Sequence, residues 1–190
     1  MSHIVTSEPR RQRRGRWQLL ILVLVAVGPM ILATGMYRFN FWVPDSRSYH
    51  GLLIANGQSR DDLGVRSDER RWQLLVSAPL GCAEDCQYLV YLARQIQMGL
   101  GRDAYRASHA LATGLPPVDE YAEKLKREYP QLQRYPLDEV RYRRVMPGLD
   151  APLLWIVDPH GNLVLRYDGR VNGKHLLNDL RQLLKLSNIG

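Results

Sequence analysis

Hydrophobic and polar positions follow two different regimes along this chain. Residues 17–37, WQLLILVLVAVGPMILATGMY, hold no charged side chain. About 20 apolar residues span a bilayer core, and a signal-peptide core is usually shorter. The run therefore predicts an uncleaved membrane-spanning anchor, and no small-x-small cleavage motif follows it. Pro29 lies inside it, which a membrane helix tolerates. Trp17, Tyr37 and Trp42 fall where the two membrane interfaces would be.

After the anchor the apolar positions come in short runs and stripes. Residues 38–50 read as a linker, with the turn residues VPDSRS, and residues 51–190 as one folded domain. HGLLIANGQSRDDLGV (50–65) predicts a small β-hairpin at the domain entrance, turning at Asn56-Gly57. RWQLLVSA (71–78) is a compact apolar run and predicts a central strand. Leu89, Leu92, Ile96 and Leu100 fall at helical spacing, which predicts a helix over 84–98 that stops near Gly99 and Gly101. YRASHALAT (105–113) predicts a second strand, and PPVDEYAEKLKREY (116–129) a helix entered through proline. Residues 130–150 read as irregular or as one short strand. Residues 153–157, the turn Asp158–Gly161 and NLVLRY predict a strand pair. NGKHLLNDLRQLLKL closes the chain as an amphipathic helix, with leucines at 176, 177, 180, 183, 184 and 186.

Charge then orients the anchor. Residues 1–16 carry five arginines against one glutamate, so +4 of the net +7 lies in this tail. Arginines beside a membrane helix stay in the cytoplasm. That places residues 38–190 outside, as a periplasmic domain on a single-pass anchor in the inner (cytoplasmic) membrane. The remaining +3 is spread along the domain, and runs such as RYRR (141–144) read as solvated surface. Nucleic acid is not an expected partner, because that function needs a clustered basic face. Outside the cytoplasm a disulfide forms and persists.

The chain has two cysteines, Cys82 and Cys86, in PLGCAEDC at the head of the first domain helix. They admit one intrachain bridge. A helix N-terminus offers unpaired N–H groups and the positive end of the macrodipole, and both stabilise a thiolate. Glu84 and Asp85 oppose that effect on the thiols. Three readings stand: a redox pair, two thiolates for a soft cation such as Cu(I), or a structural staple. A bridge closing so short a loop stabilises little, which sets the staple last. The order strand, helix, strand, helix, strand, strand, helix is α/β with a central mixed sheet. With cysteines at the first strand-to-helix turn it is thioredoxin-like.

The anchor, the C-x-x-x-C at Cys82–Cys86 and the hairpin WIVDPHGNLV resemble the Sco/SenC family of membrane-anchored thioredoxin-fold proteins. That resemblance implies a role in assembling the copper centre of cytochrome c oxidase, with Cu(I) on Cys82 and Cys86. It also implies an oxidase subunit, or another redox or copper assembly protein, as partner. Ala83 and Gln87 stand where that family has prolines, and Asp150 where it has a histidine ligand. Met146 is then the candidate soft third donor. The chain is also similar to TlpA-type thiol reductases, which implies a cis-proline at Pro152 facing the dithiol. Gly81 stands where those reductases carry tryptophan. His109, His160 and His175 are assigned no ligand role, and Trp72 and Trp155 read as core aromatics. The expected function is a thiol–disulfide oxidoreductase that assists oxidase copper-centre assembly, Cys82 attacking and Cys86 resolving. The alternatives are a general TlpA-type oxidoreductase and a non-catalytic assembly scaffold.

Overall fold

A computed structural model describes residues 10–39 and 49–187. The chain divides into two compact units, Met1–Ser46 and Arg47–Gly190. In the first, α1 runs over Arg10–Phe39 and passes through Pro29. Its segment Arg16–Gly35 has a mean hydropathy of 2.2, long and apolar enough to cross a membrane, and none of it is buried against protein. Trp42 and most of the expected linker lie outside the described residues.

The second unit holds β1 (Leu52–Leu53), β2 (Trp72–Ala78), α2 (Glu84–Gly99), β3 (Ala107–Thr113), α3 (Asp119–Glu128), β4 (Gln133–Pro136), α4 (Glu139–Val145), β5 (Leu153–Val157), β6 (Leu163–Tyr167) and α5 (Gly173–Leu186). The sheet order is β1-β6-β5-β2-β3-β4. β2, β3 and β4 are parallel, and β5 and β6 are antiparallel additions, so the sheet is mixed as expected.

β2 is buried at all seven positions because it is covered on both faces. Trp72, Leu74, Val76 and Ala78 face a core shared with α2, α3 and α5. Leu75 faces a second core with Trp155, Leu63, Val65 and Tyr142 of α4. The polar residues of β2 are satisfied by neighbours. Ser77 Oγ accepts from Trp155 Nε1 at 2.8 Å, and Gln73 Nε2 donates to Gln133 at 2.7 Å.

Three expectations change. The entrance hairpin does not form: β1 pairs with β6, Leu52 opposite Arg166, and Ser59 bridges Asn162. The chain after Gly57 folds over the second core instead, where Leu63 and Val65 are fully buried. Arg60, nearly buried, holds this loop by donating to the carbonyls of Ser67 (2.6 Å) and Glu69 (3.0 Å). β3 begins at Ala107, because Gly101–Arg106 form a 3₁₀-helix. Residues 130–150 contain both β4 and α4; α4 reads EVRYRRV and buries Tyr142 alone, so no apolar stripe announces it.

Candidate dithiol site

β2 ends at Ala78, and the chain must reverse into α2 within a few residues. Gly81 makes that turn at φ +98°, a conformation that L side chains rarely adopt, and its N–H donates to Ala78 O at 3.2 Å. This explains why glycine precedes Cys82. Ala83 is the N-cap of α2 and, having no side-chain acceptor, leaves the helix without a side-chain cap. The first-turn N–H groups of α2 are thus left for a neighbouring acceptor, and a Cys82 thiolate is of the right type and position. Cys86 is the third residue of α2. The Cα atoms of Cys82 and Cys86 are 5.0 Å apart and their sulfurs are joined in a disulfide. Cys82 is 9% exposed and Cys86 1%, so the pair is graded: both are largely buried, Cys82 the less so.

A second loop lies against the dithiol turn. Gly114 N–H donates to Ala78 O at 3.2 Å, and a Cβ on Gly114 would sit 2.3 Å from the Pro79 carbonyl oxygen. Leu115 Cβ stands 3.7 Å from where a Cβ on Gly81 would be. Leu80, Leu115 and Val118 are all more than half exposed. Sequence reading passed over these three; the signal was an apolar residue on each side of the cysteine turn and of the Pro-Pro loop.

Pro152 precedes β5. The pairing of Ser77 with Leu153 sets it level with Ala78, at the end of the sheet where the dithiol turn begins. The Ala151–Pro152 peptide is trans, since the described residues contain no cis bond, so the cis geometry implied by the TlpA resemblance is not present. Met146 is not brought to the cysteines. It caps α4 in the second core, across the sheet from Cys82 and Cys86, and its sulfur accepts from Arg166 Nη1 at 3.4 Å. The reason is the unforeseen α4, which carries Met146 to the opposite face. Asp150 is exposed and lies 4.0 Å from Arg143 Nε. No group of three or more His, Cys, Asp or Glu side chains able to hold a metal occurs among the described residues.

The histidines lie elsewhere. His109 is buried on β3, its Nδ1 against Gln97 Oε1; Gln97 Nε2 is occupied by the carbonyls of Ala104 and Ala107. Burial, with the nearby Arg94 and Arg71 guanidinium groups, holds the His109 imidazole down at about 4. His160 sits at the exposed β5–β6 turn. His175 stacks on His50 at 4.0 Å. His50 Nδ1, the His50 and Gly51 N–H groups and Tyr167 OH all converge on the buried Asp179 carboxylate, at 2.7–3.2 Å. Asp179 interrupts the leucine stripe of α5, and that interruption was the sequence signal for it.

A graded cysteine pair at the N-terminus of the helix after the central strand defines a thioredoxin-like dithiol domain. The family model described as transmembrane-like, thioredoxin-like, C-terminal domain matches residues 72–187, more than half of the chain, and its companion, transmembrane-like, N-terminal domain, matches residues 9–40. The chain belongs to this transmembrane-like, thioredoxin-like family. No curated protein matches it significantly in sequence. Among solved structures, it is similar to Arabidopsis thaliana ScoI with copper bound, at 13% identity and TM-score 0.46, over 63% of this chain and 87% of that one. It is similar to yeast Sco1 with copper bound, at 12% identity and TM-score 0.45, over 63% and 79%. It is also similar to the thioredoxin domain of a Bacteroides vulgatus thiol-disulfide oxidoreductase, at 11% identity and TM-score 0.44, over 61% and 81%.

Proposed function

We propose that this protein is a membrane-anchored thiol–disulfide exchange protein whose domain works outside the cytoplasm. The single observation that carries this is the graded pair: Cys82, the less buried of the two, just before an uncapped helix, and Cys86 one turn on and bonded to it. In the reduced protein the Cys82 thiolate attacks a partner disulfide, forming a mixed disulfide and releasing one partner thiolate. The Cys86 thiolate then attacks Cys82 sulfur, releases the second partner thiol and closes the Cys82–Cys86 bond. Two electrons pass to the partner, and a thiol reductant restores the dithiol. Pro152, level with the start of the dithiol turn, is the candidate positioning residue for the docked chain. The five arginines of residues 1–16 support a cytoplasmic N-terminus, an inner-membrane anchor and a periplasmic domain.

The finer role, assisting assembly of the copper centre of cytochrome c oxidase, is supported by the Sco/SenC resemblance of the anchor, the C-x-x-x-C and the hairpin. Copper would be cargo there. The reduced pair offers two soft donors to Cu(I), and among the described residues neither Met146 nor a histidine stands beside it to complete three-coordination. Exchange is therefore the leading chemistry.

The test is trapping. Full-length Cys86→Ser, expressed in its membrane, should accumulate a mixed disulfide on Cys82 that dithiothreitol releases, and Cys82→Ser should accumulate none. Absence of any adduct under varied redox conditions would defeat the exchange reading. An anaerobic Cu(I) titration of the reduced chain against a competing chelator tests copper handling separately.

A further inference from the structure

The end of the sheet that carries the dithiol also carries the N-termini of α2, α3 and α4, and their acidic residues differ in one respect. At α4 the carboxylates are answered within the chain: Asp138 by Arg141 at 3.6 Å, Glu139 by Arg143 at 3.4 Å. At α2 and α3 they are not. Glu84, Asp85, Asp119 and Glu120 are exposed, and none takes part in an ion pair or side-chain hydrogen bond among the described residues. α2 and α3 cover the same face of the sheet, so these four charges flank one surface. In the loops that lead into these two helices are the exposed Leu80, Leu115 and Val118, with Leu115 against the Gly81 turn. The chain as a whole is +7, so an acidic rim here runs against its overall sign.

We infer that this surface docks a cysteine-bearing segment of a partner protein with an apolar residue beside its cysteine and lysine or arginine on its flanks. This rests on the exchange reading and names the substrate class of the same site. Leu80, Leu115 and Val118 take the apolar residue, and the four unanswered carboxylates select the basic flanks by charge complementarity. An acidic segment is repelled by the same charges. The selection acts on encounter, so it is strongest at low salt.

The experiment uses the full chain in an uncharged detergent, reduced with dithiothreitol and freed of it. Two peptides are compared. They share a leucine beside one cysteine held as its mixed disulfide with 2-mercaptoethanol, and they differ in lysine or glutamate flanks. Bis(2-hydroxyethyl) disulfide is the uncharged reference. Cys82 attacks the peptide sulfur and 2-mercaptoethanol leaves; Cys86 then releases the peptide thiol, which is quantified by mass spectrometry after acid quenching. The basic peptide should react about 10-fold faster than the acidic one at low salt, the gap closing to about 2-fold at high salt. With Glu84→Gln, Asp85→Asn, Asp119→Asn and Glu120→Gln combined, the ratio of the two peptide rates should fall to near one. In Leu115→Ser/Val118→Ser both peptides should slow relative to the reference disulfide. Equal rates on the two peptides, a preference for the acidic one, or a dimer covering the patch would overturn the inference. Failure of all three substrates, the reference included, would instead overturn the exchange reading.

Discussion

Lowering the pH from 8 to 5 presses a proton onto a side chain that this fold keeps neutral. His109 is 3% exposed, and its Nδ1 is directed at Gln97 Oε1 because the Gln97 amide nitrogen is already used by two backbone carbonyls. Its Nε2 has no partner. Protonation would create a buried cation near the guanidinium groups of Arg94 and Arg71. The imidazole is held at about 4, against 6.5 for an ordinary histidine. The folded state therefore binds fewer protons than the unfolded chain between these two values, and stability falls as pH drops through 6.5 and levels off below 4. At pH 5 the unfolded histidine is almost fully charged and the folded one almost neutral, a loss of about 2 kcal/mol relative to pH 8. The assay is urea denaturation of the full chain at pH 8 and pH 5, compared with His109→Asn, which has no group titrating in this window. The wild type should lose about 2 kcal/mol more than the variant over that interval. An NMR titration of the His109 ring reads the same quantity directly. Equal losses in the two proteins, or a ring titrating near the ordinary value, would refute the argument.

Two further changes probe the frame around the dithiol and the domain's entry. Gly114→Ala places a Cβ 2.3 Å from Pro79 O and 2.8 Å from Glu139 Oε1, so the loop beside the cysteines must move. It should cost about 2 kcal/mol in thermal unfolding and also alter the exchange rate with a small neutral disulfide, whereas an unchanged melting temperature would show that the loop yields freely. Asp179→Asn replaces a buried carboxylate that accepts from His50, Gly51 and Tyr167 with a group that can accept on only one oxygen. Stability should drop by about 2 kcal/mol or more, and backbone amides of residues 50–53 should lose hydrogen-exchange protection; full protection would contradict the anchoring role of Asp179.

Much of this protein is legible in its sequence, because the relevant signals are local. A charge-free stretch of bilayer length, a seven-residue apolar strand buried on both faces and a leucine stripe at helical spacing each determine their own element. The cysteines were readable for the same reason, since a strand-to-helix turn is set by neighbours in sequence. Tertiary structure decided the rest. Whether the segment around Asn56-Gly57 closes a hairpin depended on the free edge of β6 and on a second core that Leu63 and Val65 could fill. Helix α4, which buries Tyr142 alone, carries no periodic pattern, and its position sent Met146 to the far face of the sheet, away from the soft-donor role. The buried state of Asp179 needed four donors, three of them from residues 50 and 51, far from it in sequence, and one from Tyr167. Which carboxylates at the dithiol end go unanswered also depended on where the arginines of α4 came to rest. Local pattern selects elements, because backbone periodicity lies within a few residues. Pairing, facing and charge balance are settled only when distant segments compete for the same surface.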